Sequence, residues 1–328
     1  MRFAVLSTAN IARVVIPAVR AAGHEVVAVG SREATRARAF AEETDVPRAY
    51  GSYAAALDDE DVQAVYNPTP NALHAEWTRE AADRGLPVLC EKPLASDAAE
   101  AAALGAYCED RVTLMEAFMY RYHPRTERAA AIVDDWDVRG VEATFQFPLP
   151  DREDVRLDPD LAGGALMDVG CYAVNVARLT LGDPDRVSGH THDGRASGVD
   201  THAAGTLAYD DGTLARVSCS FDTRDVQRYR VEAADGLLTA EEAFVPRGDD
   251  GVAVDYAVDG REVRETFDPV DQYRLQVEHF VDCVESGGRP RTDARDAART
   301  LAVIDALKRS AECGETVVVE YPDDAGVE

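Results

Sequence analysis

Residues 2–30 read R-F-A-V-L-S-T-A-N-I-A-R-V-V-I-P-A-V-R-A-A-G-H-E-V-V-A-V-G, and the succession of periods along them decides the fold. Residues 2–6 have the apolar run of a strand. Residues 10–22 place Ile11, Val14, Val15, Ala18 and Val19 at helical spacing, with Gly23 as the stop and Pro17 as a possible kink point. Residues 24–30 predict a second strand. Strand, helix, strand within about thirty residues is a right-handed βαβ unit, the opening of a dinucleotide-binding fold.

The turn inside that unit is Ser7-Thr8-Ala9-Asn10-Ile11-Ala12, where a G-x-G-x-x-G/A fingerprint would lie, with serine and alanine in place of the first two glycines. Small residues still let backbone N–H groups and a helix N-terminus approach a pyrophosphate, although an ordinary tight turn has the same composition. After the second strand an acidic residue would serve the ribose of NAD. Here Gly30-Ser31-Arg32 follows, and serine with arginine suits a 2′-phosphate, so NADP is the expected cofactor with NAD possible. Ser31 also suits the cap of a helix starting near residue 33.

The alternation continues. Helices are expected over 33–43, 52–58, 71–84 and 97–108, and strands over 64–66 and 112–115. The loop Asn67-Pro68-Thr69-Pro70 follows a strand and is stiffened by its prolines, as a wall for a nicotinamide ring would be. His74, just beyond it, reads as a structural hydrogen-bonding residue. The apolar run Leu86-Pro87-Val88-Leu89 leads into Cys90-Glu91-Lys92-Pro93, which puts Lys92 at a strand's carboxyl end, where open α/β sheets hold ligands. Lys92 and Lys308 are the only lysines among 34 basic residues. Lysine, unlike arginine, has a pKa that burial lowers into the range of proton chemistry, though a solvated strand end would also accept one.

From Glu116-Ala117-Phe118-Met119-Tyr120-Arg121-Tyr122-His123-Pro124 onward the texture changes. Residues 141–147, 203–209, 213–221, 228–233 and 251–258 predict strands of a largely antiparallel sheet. Gly163-Gly164-Ala165-Leu166-Met167-Asp168-Val169-Gly170-Cys171-Tyr172 opens a helix running to about residue 181, on which Asp168 and Tyr172, four apart, share a face. Helices over 271–286 and 293–313 and a strand over 316–321 close the chain. The expected architecture is an α/β Rossmann domain over 1–120 and a substrate-binding, oligomerising α+β domain with an open sheet over 121–328. The last helix and strand are candidates to return to the first domain.

Composition narrows the function. A net charge of −27 and a sequence pI near 4.6 argue against nucleic acid and anionic membranes, and no apolar run is long enough to span a bilayer. The acidic residues are spread along folded-looking sequence, and with scarce lysine they suit molar salt, whose Debye length of about 3 Å screens self-repulsion. Residues 1–50 depart from the trend, with seven arginines against five acids, as a phosphate-bearing cofactor would favour. Six scattered cysteines without a C-x-x-C suggest neither a metal site nor a redox pair, and fit a reduced cytoplasm. The amino terminus runs straight into the first strand, so no signal peptide is expected.

Taken in order, the glycine-poor turn, N-P-T-P, E-K-P, E-A-F-M-Y-R-Y-H-P and G-G-A-L-M-D-V-G-C-Y resemble the glucose-fructose oxidoreductase/inositol dehydrogenase (Gfo/Idh/MocA) family over nearly the whole chain. The M-E-A-F-M-Y-R-Y-H-P run points to its branch of dimeric dihydrodiol dehydrogenases and NADP-dependent D-xylose dehydrogenases. The resemblance implies cofactor contacts from Ser7, Thr8, Ala9, Asn10, Ile11, Ser31, Arg32, Asn67, Pro68, Thr69, Glu91 and Lys92. It implies a catalytic centre of Lys92, Tyr172 and Asp168, with Tyr172 where many relatives carry histidine. Arg121, Tyr122 and His123 are candidates for the sugar pocket or for packing at the domain junction. The C-terminal sheet is expected to join a homodimer or homotetramer. The expected reaction is oxidation of an aldose such as D-xylose at C1 to its lactone, with Lys92 favouring the phenolate of Tyr172. Dihydrodiol turnover, keto-sugar reduction, or a catalytically silent sensor of NADP or sugar are the alternatives.

Overall fold

The computed structural model describes residues 1–246 and 251–322; the end of the second expected domain, 323–328, lies outside them. The chain divides into one unit of Met1–Met119 with Asp271–Ala298, and a second of Tyr120–Val270 with the residues from Arg299 on.

The first unit alternates β1 (Arg2–Leu6), α1 (Ala12–Ala21), β2 (Glu25–Gly30), α2 (Ala34–Glu43), β3 (Arg48–Tyr50), α3 (Tyr53–Leu57), β4 (Ala64–Asn67), α4 (His74–Ala82), β5 (Val88–Glu91), α5 (Ala98–Cys108) and β6 (Leu114–Ala117). Its six strands are parallel in the order β3-β2-β1-β4-β5-β6. Strand order reverses at β1 and β4, so the loops leaving those strands flank the crevice where such sheets bind ligands. All four β4 residues are buried, which is why these strands read as continuous apolar runs. Helix α1 runs through Pro17 because Pro17 is exposed. The carbonyl that a missing N–H leaves unpaired is then open to water.

In the second unit α6 (Pro124–Val133) and β7 (Val138–Gln146) precede α7 (Cys171–Leu181). Then come β8 (Arg186–His192), β9 (His202–Ala208), β10 (Leu214–Ser220), β11 (Val226–Ala233), β12 (Gly236–Glu241), β13 (Val252–Val258) and β14 (Arg261–Phe267). Helix α8 (Gln272–Ser286) lies in the first unit, α9 (Ala294–Cys313) starts there, and β15 (Val317–Val318) is in the second. The return to the first unit is therefore made by α8 and the start of α9, and the last strand stays with the second.

The second sheet has the order β14-β13-β12-β11-β7-β10-β9-β8-β15. All its pairings are antiparallel except β7 with β10. One face, with Val141, Ala143, Phe145, Ala215, Val217 and Cys219, is buried, and α7 packs on β7 and β10. The opposite face carries a polar ladder in which Arg216 reaches Glu142 at 3.5 Å and Glu232 at 3.8 Å. On the same face Thr144 and Ser218 share a hydrogen bond of 2.9 Å.

Strands β3, β8, β12 and β14 and helix α6 are additions to the sequence expectation. β14, at the edge of the sheet, carries charged residues at 261, 262, 264 and 265. In β8 Gly189 interrupts the apolar pattern because a Cβ there would stand 2.6 Å from the Leu307 carbonyl of α9. Leu166–Gly170 forms a π-helical turn ahead of α7, so Asp168 and Tyr172 are not set on one regular α-helix.

Candidate active site

The turn after β1 carries its own strain. Ser7 has φ = 130°, a region that ordinarily selects glycine, and its Oγ accepts the Ala9 N–H at 3.1 Å. The Ser7 N–H donates to the Gly30 carbonyl at 3.0 Å, joining the ends of β1 and β2. The Thr8, Asn10 and Ile11 N–H groups have no protein acceptor among the described residues. Together with an α1 start that no side chain caps, they form the donor set an anionic pyrophosphate takes. Beyond β2, Ser31 is buried and its Oγ lies 3.4 Å from the Glu33 N–H. The cap position of α2 is Glu33, so Ser31 makes a local turn instead of the expected cap. Arg32 is exposed and has no ion-pair partner among the described residues. These features fit a phosphorylated dinucleotide.

The loop after β4 is built on Asn67, which is fully buried. Its Nδ2 donates to the His74 carbonyl at 3.1 Å and to Thr78 Oγ1 at 3.2 Å, while its Oδ1 accepts the Thr69 hydroxyl at 2.8 Å. The Asn67 side chain thus shapes the loop from within. His74, also buried, sets Nε2 2.7 Å from the Thr69 carbonyl and Nδ1 2.8 Å from the Pro93 carbonyl. Its ring therefore spans the N-P-T-P loop and the segment beside Lys92. Burial holds its pKa at about 4. A neutral ring has one N–H, so it donates to one of the two carbonyls.

Lys92 directly follows β5. Glu91 accepts the Tyr66 hydroxyl at 2.8 Å. The next strand supplies a group that the sequence reading passed over: Glu116, paired in register with Cys90, is 1% exposed and its Oε1 accepts the Leu94 N–H at 2.8 Å. Desolvation pushes its carboxyl up to about 8, and Oε2, with no hydrogen-bond partner, is placed to carry the proton. A carboxylate inside the apolar L-M-E-A strand was the available signal.

In the second unit Tyr172 is 3% exposed and its ring lies 5.1 Å from Phe145, 5.3 Å from Phe244 and 5.8 Å from Tyr120, centroid to centroid. One turn on, Asn175 Oδ1 accepts the Tyr120 hydroxyl at 2.5 Å and Arg121 Nη1 at 3.2 Å, and its Nδ2 donates to Thr300 at 3.1 Å. Tyr122 is buried. His123 caps α6, its Nδ1 accepting the Arg125 N–H at 3.0 Å, and desolvation lowers its pKa to about 4. Asp168 is ion-paired: Arg156 Nε donates to its Oδ2 at 2.9 Å. The sequence reading gave Arg156 no part, since nothing local links positions twelve residues apart.

A doubly wound parallel sheet whose first turn leaves backbone N–H groups without protein acceptors, and a lysine at a strand end beside the loop built on Asn67, have the build of an oxidoreductase of the dinucleotide-dependent class. Residues 1–118 match the family model described as oxidoreductase family, NAD-binding Rossmann fold, and residues 137–239 match the GFO/IDH/MocA C-terminal domain. The chain belongs to the GFO/IDH/MocA oxidoreductase family. It is 54% identical to D-xylose 1-dehydrogenase (NADP(+)) 2 of Haloferax volcanii, over 98% of this chain and 100% of that one. Among solved structures, a 3-ketoreductase from Actinomadura kijaniata in complex with NADP and TDP-benzene superposes with a TM-score of 0.88 at 31% identity, covering 94% of this chain and 97% of that one. An aldose-aldose oxidoreductase from Caulobacter crescentus complexed with glycerol also gives 0.88, at 28% identity and 97% and 99% coverage.

Proposed function

We propose that the protein is an NADP-dependent aldose 1-dehydrogenase that oxidises D-xylose or a similar pyranose at C1 to the lactone. The observation that carries this is the similarity, end to end, to the Haloferax D-xylose 1-dehydrogenase, together with the cofactor-ready turn and Arg32. The backbone of Ser7, Thr8, Ala9, Asn10 and Ile11 would hold the pyrophosphate, Ser31 and Arg32 the 2′-phosphate, and the loop of Asn67, Pro68 and Thr69, with Glu91 and Lys92, the nicotinamide end. The bound cofactor supplies the hydride acceptor.

Tyr172 Oη is the proposed acceptor for the proton of the sugar hydroxyl, and Lys92 the proposed group that polarises the substrate oxygen. The aromatic packing of Tyr172 restricts its ring, which supports proton transfer at a defined atom. Asp168 orients the substrate. Arg121 is a candidate contact to the sugar, while His123 is engaged as a helix cap and Tyr122 in the core.

The acidic composition supports work in molar salt, and six cysteines without a disulfide support a reducing cytoplasm. The polar face of the second sheet is the proposed interface of a homodimer or homotetramer, to be read by light scattering. Among the described residues no helix is long and apolar enough to cross a membrane.

Formation of reduced nicotinamide is to be followed with pentoses, hexoses and diols, in NAD and in NADP, at high salt. Turnover of D-xylose with NADP is expected, and Arg32→Ala is expected to erode the preference for NADP. NADP binding without turnover of any sugar or diol would favour a sensor instead.

A further inference from the structure

The glycine pair of G-G-A-L-M-D is explained by what packs against it. A Cβ on Gly163 would stand 2.5 Å from the Arg156 carbonyl, and the Gly164 N–H donates to that same carbonyl at 2.8 Å. Gly164 itself has φ = 114° and its Cβ would meet Asp200 Oδ1 at 2.4 Å. Gly163 therefore admits the backbone of Arg156 and Gly164 makes room for Asp200, and the Arg156 side chain reaches Asp168 on the π-helical turn. The guanidinium is held on its other side by Asp154, whose oxygens accept from Nη1 at 3.2 and 3.3 Å. Asp154 also accepts the Arg156 N–H at 2.9 Å. Nη2 has no protein partner among the described residues.

We propose that Arg156 is a positioning residue of the site: pinned through its backbone by Gly164 and through its side chain by Asp154, it fixes the Asp168 carboxylate as the acceptor for a substrate hydroxyl. The planar guanidinium sets Nε on Asp168 and Nη1 on Asp154 at once, a fixed two-carboxylate geometry that a lysine ammonium does not reproduce. Its spare Nη2 adds a donor beside that acceptor, the pairing a sugar hydroxyl satisfies from both sides. Charged or titratable groups around Asp168 include Asp154 beside Arg156, Asp200 on the loop before β9 with Lys308 acting on it, Cys219 on β10 and Cys171. Arg156 is a cation in direct contact with Asp168. This proposal rests on the dehydrogenase reading for its substrate, and its test separates the two.

R156Q, R156K, D168N and the R156Q/D168N double variant are to be compared with the unaltered enzyme. The measurements are kcat and KM against pH, aldose binding to the NADPH-loaded enzyme by nicotinamide fluorescence, and NADPH affinity. R156Q is expected to lower kcat/KM about 10- to 100-fold. It should move the acid limb of the profile upward by about one pH unit, because Asp168 loses an adjacent positive charge. NADPH affinity should stay unchanged. The double variant should be no worse than D168N. R156K should keep the acid limb and lose part of kcat/KM. A folded R156Q with the unaltered profile, or losses that multiply in the double variant, overturns the proposal. If R156Q does not fold, an R156K indistinguishable from the unaltered enzyme does so. If the unaltered protein binds aldose without turning it over, the dehydrogenase reading fails while weakened aldose binding in R156Q still supports Arg156. If it binds no aldose, both fall.

Discussion

Ser7 shows how one side chain can stand where a strand-to-helix turn ordinarily selects glycine. Its φ of 130° costs about 1–3 kcal/mol for a residue with a Cβ, and its hydroxyl offsets part of that by accepting the Ala9 N–H. Ser7→Ala keeps the strain and removes the bond, so it should lower stability by about 1 kcal/mol. Ser7→Gly removes both and should leave the melting temperature close to that of the unaltered protein. An alanine variant as stable as the glycine one would show that the hydroxyl contributes nothing. At the residues proposed for proton transfer, Tyr172→Phe and Lys92→Met are each expected to lower kcat by about 10²–10⁴. Tyr172→Phe should bind NADPH normally in a fluorescence titration, and full activity in that variant would remove the phenol from the mechanism.

Among the elements, the loops after β4 and β5 are joined through one imidazole. His74 approaches the Thr69 and Pro93 carbonyls from within the fold. His74→Ala leaves both carbonyls buried without it, at a cost of about 1–3 kcal/mol, and frees both loops. It should therefore weaken NADPH binding and lower the melting temperature together, and loss of only one would separate the loops' roles. The sign of its pH dependence follows from a pKa held at about 4 against an ordinary 6.5. The folded ring is neutral, so its contribution is complete above pH 6.5 and is lost as pH falls toward 4.

For the molecule as a whole, Glu116 works in the opposite direction. Its carboxyl sits at about 8 in the fold against an ordinary 4.5, so stability is complete below pH 4.5 and declines as pH rises through 8. The size of that decline is about 4–5 kcal/mol. Glu116→Gln keeps the shape without the charge. Its melting temperature should change less between pH 5 and 8 than that of the unaltered protein, measured in molar salt so that the overall charge of −27 is screened in both. Parallel curves would mean that Glu116 is not the group being titrated.

Residues 2–30 were enough to establish the parallel dinucleotide-binding sheet, because a buried strand and an amphipathic helix carry their periods in local sequence. The order of motifs was enough to identify the family and to single out Lys92, Asp168 and Tyr172. Only the tertiary structure decided what surrounds them. The parallel pairing of β7 with β10, the place of Glu116 beside the E-K-P segment, the two carbonyls at His74 and the Arg156–Asp168 ion pair all join residues distant along the chain. Such contacts leave no local period, since they depend on which strand lies beside which and on where a glycine lets one backbone approach another.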